Sequence, residues 1–216
     1  MVDLERLVSA SVQQAPYPFA IVPGFVRSDA LTAIDSDFPK VETAGSFPLA
    51  SLHYGPAFSA LIAELSSPRM AAIVAEKLKI DLAGRPVMVT VRGQCSARDG
   101  HIHTDSTTKL VTMLLYMNRK DESERGRLRI LRSSTDLNDF AAEIPPDEGT
   151  LLIFRNGPNA WHGFEPVDGV RRVIQVNWVT DETVVRREQA RHRVSAFFKR
   201  LGGLFFGGAG THAAAH

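Results

Sequence analysis

The chain has 216 residues, 44% of them hydrophobic, and its 25 Lys+Arg balance 24 Asp+Glu to a formal net charge of +1. A chain of this size buries roughly 70% of its unfolded surface around one core, so neither disulfides nor a structural metal is needed to hold it together. The near-neutral balance excludes a general nucleic-acid binder, which needs a cationic surplus to compete for phosphates, and the single cysteine, Cys95, excludes an internal disulfide and any CxxC zinc or redox motif.

The N-terminus, MVDLERLVSASVQQ, places Asp3 and Glu5 where a secretory signal would carry basic residues, so a cytoplasmic protein is expected. Residues 3–12 read as a helix, Phe19 to Val22 as a short strand before Pro23-Gly24, and Ser28-Asp29 as the cap of a helix running to about Phe38. Beyond a turn-rich patch near Gly45, residues 54–65 and 68–78 carry two more helical patterns. From Val87 the pattern changes to short β-branched runs separated by turn residues: VMVTVRGQ, KLVTMLLYMN, GRLRIL, GTLLIF and RRVIQVNWV. Such runs after a helical beginning predict an antiparallel sandwich or barrel packed on N-terminal helices. Residues 119–146, charged and holding one strand-like core at Leu128 to Leu131, read as a mobile lid. The longest apolar stretch, Val111 to Met117, is interrupted by Thr112 and too short to span a bilayer.

Four motifs carry chemistry: HIHTD at 101–105, YMN at 116–118, WHGFEPV at 161–167 and GVRR at 169–172. Strand side chains alternate with period two, so His103 and Asp105 share a face of an extended segment. A third ligand, His162, lies 57 residues after Asp105, a separation that two strands of one barrel can close. Two histidines and one carboxylate on one face leave coordination positions open, the facial arrangement suited to non-haem Fe(II). His101 competes with His103, although it would put the carboxylate at i+4 on the strand. Cys95 reads as a small buried hydrophobe.

Taken in order and at these distances, HxD, Tyr-x-Asn, PPDEGTLLIF, WHGFEPV and GxRR resemble the iron- and 2-oxoglutarate-dependent dioxygenases, in particular their prolyl-4-hydroxylase-like branch. The resemblance covers residues 86–180, with a weaker echo in YPFAIVPGFV at 17–26. It implies a mainly β (α+β) fold, a double-stranded β-helix or jelly roll with N-terminal supporting helices. The implied domain spans 1–180, its metal- and cosubstrate-binding core 86–180, with a basic helix and Gly/Ala tail over 181–216.

By that resemblance His103, Asp105 and His162 hold Fe(II). The distal carboxylate of 2-oxoglutarate meets an arginine on the last long strand, for which Arg171 and Arg172 compete. Alternation favours Arg172, because it shares a face with Ile174, Val176 and Trp178, an apolar set expected to look into the barrel, whereas Arg171 shares one with Gln175 and Asn177. Tyr116 matches the tyrosine that reaches the same carboxylate, with Thr112 on the same face as the alternative donor. The implied reaction uses O2, converts 2-oxoglutarate to succinate and CO2, and hydroxylates the substrate. Asp105 points away from the related halogenases, which lack this carboxylate.

The substrate is expected to be a small molecule or an exposed side chain. Arg92, Gln94, Arg127 and Trp178 are the candidates to touch it, and inward-pointing arginines would suit an anion. Asn156 and Asn159 read as turn formers. Residues 181–206, basic and partly amphipathic, are candidates for docking on the barrel, on a second copy, on an anionic membrane surface or on a partner protein. Two alternatives stand beside the oxygenase: a cupin-like metal-dependent isomerase or lyase, and a non-catalytic barrel that only binds.

Overall fold

Helices come first in the computed structural model, which describes residues 1–119 and 126–187. They are α1 (Leu4–Ser9), α2 (Ser28–Asp37), α3 (Pro56–Leu65) and α4 (Pro68–Leu78), with the short strand β1 (Phe19–Val22) between the first two. Asp3 opens α1 by accepting the Arg6 N–H at 2.9 Å, and Ser67 opens α4 by accepting that of Met70 at 3.1 Å. Ser28 is the first residue of α2 rather than its cap; Arg27 holds the cap position, without a side-chain bond.

Among the described residues nine strands follow the helical pattern or interleave with it, ending in a two-sheet jelly roll. The larger sheet runs β1-β7-β4-β9-β3-β2, where β2 is Phe47–Pro48, β3 Val87–Cys95, β4 Lys109–Tyr116, β7 Leu151–Arg155 and β9 Gly169–Val179. The smaller sheet runs β6-β5-β8, where β5 is Leu128–Leu131, β6 Phe140–Ile144 and β8 His162–Gly163. Within residues 119–146, β5 and β6 pair antiparallel and form part of the barrel wall. A lid over that whole span is therefore corrected to a sheet; residues 120–125 lie outside the described ones, as do 188–216, which hold most of the C-terminal segment.

The larger sheet is buried on both faces, which decides where its residues point. One face packs Val91, Val111, Met113, Leu115, Ile153, Ile174, Val176 and Trp178 against Ile34, Phe58, Leu61, Met70 and Val74 of the helices. The opposite face joins Tyr116, Phe154 and Val173 to Leu128, Ile130 and Ile144 of the smaller sheet. The expectation that Ile174, Val176 and Trp178 mark the barrel interior is thus overturned. They face the helices, and Trp178, only 1% exposed there, does not touch the cavity.

Arg172 goes with them. Its guanidinium pairs with Asp35 of α2 and lies 4.2 Å over the Phe38 ring, while Arg119 pairs with the same carboxylate. These contacts fasten α2 to the sheet's outer face. Among the described residues no single helix is long and apolar enough to cross a membrane; α3 and α4 pass that test only as a pair bent by 44°.

Candidate active site

Two short segments bring the histidines together. His103 and His162 exchange both backbone N–H to C=O bonds at 3.0 Å, and their ring centroids stand 4.4 Å apart. The approach depends on glycine: Gly100 has φ +98°, and a Cβ there would lie 2.4 Å from the Phe164 carbonyl. Across the same seam a Cβ on Gly163 would meet the Gly100 carbonyl at 3.0 Å. Tyr17, from the YPF motif, donates its hydroxyl to the Trp161 carbonyl at 2.9 Å and so braces the residue before His162.

His103, Asp105 and His162 each present a ligand atom within 4.8 Å of the others, a set that could hold a metal ion. The imidazoles are oriented for it. Nδ1 of His103 lies 2.8 Å from the His101 carbonyl, and Nδ1 of His162 lies 2.9 Å from the Ala160 carbonyl. A carbonyl only accepts, so each Nδ1 carries the proton and each Nε2 keeps a lone pair for a cation.

Asp105 is fixed at both oxygens. Lys109 donates to Oδ1 at 2.7 Å and the Thr112 hydroxyl to Oδ2 at 2.5 Å. Thr112 in turn accepts from Asn156 at 2.9 Å and from Asn177 at 2.8 Å, which saturates its hydroxyl. Burial would raise the Asp105 pKa, but the Lys109 ammonium, His162 and the two hydrogen bonds outweigh it and hold the carboxyl below its ordinary value. Thr112 therefore orients the carboxylate of the triad, and no cosubstrate role is needed to account for it. Lys109 and Asn177 were not anticipated: a lysine opening a strand reads as solvated, and an asparagine within an apolar run carries no local signal.

Burial, reinforced by His103, pushes the pKa of His162 down from 6.5 to about 4. A folded value below the unfolded one means that stability is lost between pH 6.5 and pH 4, where the unfolded chain takes up a proton that the folded chain refuses. Metal-free protein is expected to lose about 3 kcal/mol across that window from this group. Urea unfolding at a series of pH values checks it, and a midpoint that does not fall over the window would contradict the burial of His162.

The triad opens into a cavity of about 330 Å³, near the lower end of the range for small-ligand sites, roughly 300–1,000 Å³. Arg171 lines it, 5% exposed, with its guanidinium 4.0 Å from the centre of the Phe164 ring and 5.4 Å from that of Tyr116. The guanidinium donates to the Gly126 carbonyl but has no carboxylate partner among the described residues. Tyr116 is fully buried beside it, its hydroxyl turned toward the same guanidinium and without a well-formed hydrogen bond among the described residues.

Arg92 is in the cavity wall, paired with Asp99 at 3.0 Å, and Arg98 and His101 also line it. Gln94 pairs with Val170 in the sheet and does not line the cavity. Arg127 lies instead on a neighbouring cleft of about 440 Å³. Arg172, favoured over Arg171 by alternation, does not reach the cavity, for the reason given by the two buried faces of the sheet.

Residues 93–180 match the family model of the 2OG-Fe(II) oxygenase superfamily. Those residues, which hold all three members of the triad, form a 2OG-Fe(II) oxygenase core. The oxygenase shares its fold with a Pseudomonas putida prolyl-4-hydroxylase, at 13% identity and a TM-score of 0.53 over 82% of this chain and 97% of that one. A prolyl hydroxylase from Trichoplax adhaerens, solved with a hypoxia inducible factor oxygen degradation domain peptide fragment, gives 16% identity and a TM-score of 0.51 over 80% and 86%. HygX from Streptomyces hygroscopicus, solved with nickel and 2-oxoglutarate, gives 14% and 0.50 over 76% and 83%. No curated protein matches the chain in sequence. As an enzyme of this superfamily, the oxygenase uses Fe(II) and 2-oxoglutarate, and the cupin-like and non-catalytic alternatives fall away.

Proposed function

We propose that this oxygenase hydroxylates an unactivated C–H bond of a small molecule or an exposed side chain. The overall balance takes R–H, O2 and 2-oxoglutarate to R–OH, succinate and CO2. The observation that carries the reading is Arg171: a buried cation without a carboxylate partner among the described residues, in the wall of the cavity that His103, Asp105 and His162 open into. A buried guanidinium left unpaired is costly, and a carboxylate matches its fork with two parallel charge-assisted bonds.

In this reading the Nε2 atoms of His103 and His162 and one Asp105 oxygen hold Fe(II), which supplies the O2 chemistry when bound. Arg171 binds the distal carboxylate of 2-oxoglutarate, and the buried Tyr116 hydroxyl beside it is the second donor. Phe164, Leu128, Leu114 and Val173 form the apolar part of the wall. Arg92 is neutralised by Asp99, but Arg98 is exposed on the cavity lining, which supports an anionic substrate.

Purified protein given Fe(II), 2-oxoglutarate and air is expected to form succinate slowly even without substrate, and faster when a substrate is found. Absence of 2-oxoglutarate-dependent succinate from folded, iron-loaded protein would refute the reading.

A further inference from the structure

We propose that Lys109 ties metal loading to 2-oxoglutarate binding by placing a fixed positive charge on the metal-binding carboxylate. The inference rests on the reading of the triad and cavity given above. Lys109 Nζ stands 2.7 Å from Asp105 Oδ1, and the two side chains are 17% and 10% exposed, so solvent and salt screen the pair poorly.

The charge matters more than the hydrogen bond. Thr112 already holds the other carboxylate oxygen, and its hydroxyl is itself fixed by Asn156 and Asn177. Lys109 is therefore not needed to aim Asp105. What it adds is an ammonium that cancels the carboxylate's charge, leaving two imidazoles offering Nε2 lone pairs and a neutral ion pair where a typical triad would be anionic. Across the cavity Arg171 adds a further positive charge.

A divalent cation entering alone meets repulsion from an ammonium a few ångströms away. A dication accompanied by dianionic 2-oxoglutarate has no net charge and is nearly indifferent to it. The ammonium thus weakens the binding of the metal by itself and spares the binding of the pair. That difference is a coupling free energy, and by linkage the metal must strengthen 2-oxoglutarate binding by the same factor. Lys109 thus acts by its charge beside Asp105, without itself offering a ligand atom.

The test follows Mn(II) binding to full-length, metal-stripped protein by the electron paramagnetic resonance signal of the free ion, with and without saturating 2-oxoglutarate. Lys109→Met is expected to bind Mn(II) alone about tenfold more tightly than wild type and to match it when 2-oxoglutarate is present. Lys109→Arg, which keeps the charge, should restore wild-type behaviour. Lys109→Gln, which keeps a donor to Asp105 without the charge, should behave like Lys109→Met and stands in for it if methionine perturbs folding. Neutral variants that melt like wild type yet bind Mn(II) alone no more tightly would overturn the proposal. Equal Mn(II) affinity in wild type and His103→Ala would overturn the metal site itself, and this proposal with it.

Discussion

Arg171→Ala is expected to weaken 2-oxoglutarate binding by roughly 30-fold or more, whereas Arg172→Ala leaves it within about twofold. The first figure follows from truncating one partner of a buried charged pair, about 2–5 kcal/mol. Arg171 is the buried arginine of the cavity wall, its guanidinium lying over the Phe164 ring and near that of Tyr116. Arg172 instead pairs with Asp35 on the helical side of the sheet. Its loss leaves Asp35 with Arg119 alone and should lower stability by about 1–2 kcal/mol. Arg171→Lys should recover only part of the affinity, because an ammonium cannot make the two-pronged contact of a guanidinium. Calorimetric titration of 2-oxoglutarate into Mn(II)-loaded protein, with thermal melting of each variant, separates the two arginines. The reverse pattern would mean that β9 is displaced by one residue, turning each of its side chains to the other face.

His103→Ala and His162→Ala should cost the same function and different amounts of stability. Either change is expected to weaken Mn(II) binding at least about a hundredfold, at or beyond the cost of losing an outer-sphere partner, and to abolish 2-oxoglutarate-dependent succinate formation. His103 is exposed, so its truncation should move stability by about 0.5 kcal/mol or less. His162 is 4% exposed and packs 4.9 Å from the centre of Phe154, with Nδ1 on the Ala160 carbonyl. Removing it leaves a cavity and an unpaired carbonyl, for a loss of about 1–3 kcal/mol at neutral pH. The same variant should flatten the acid slope between pH 6.5 and pH 4, since the group that refuses the proton is gone. Denaturant unfolding at both ends of that range distinguishes a ligand that also packs the core from one that only binds metal.

Local pattern accounted for much of the fold. Residues 68–78 are helical as their periodicity required, with Pro68 in the first turn and Ser67 capping it, and Phe19 to Val22 form the short strand expected before Pro23-Gly24. The β-branched runs starting at Val87 and Lys109 became β3 and β4. Three strands went unseen, two of them, β2 and β8, for want of length and β6 for want of signature. FAAEI at 140–144 lacks the β-branched signature and is held in place by pairing with β5, while β8, two residues long, is too short to carry a period.

The sequence by itself determined the chemistry available to this protein: a His-x-Asp pair on one face of an extended segment, a distant histidine after a tryptophan, and two adjacent arginines on a strand. Which arginine enters the cavity was decided only by the tertiary structure. A strand covered by helices on one face and by a second sheet on the other has two interiors, and its more apolar side belongs to the one without a site. The partners of Asp105 were decided the same way. Lys109 and Thr112 lie four and seven residues beyond it, but Asn156 and Asn177 reach Thr112 only because β7 and β9 flank β4, a neighbourhood that no local period encodes.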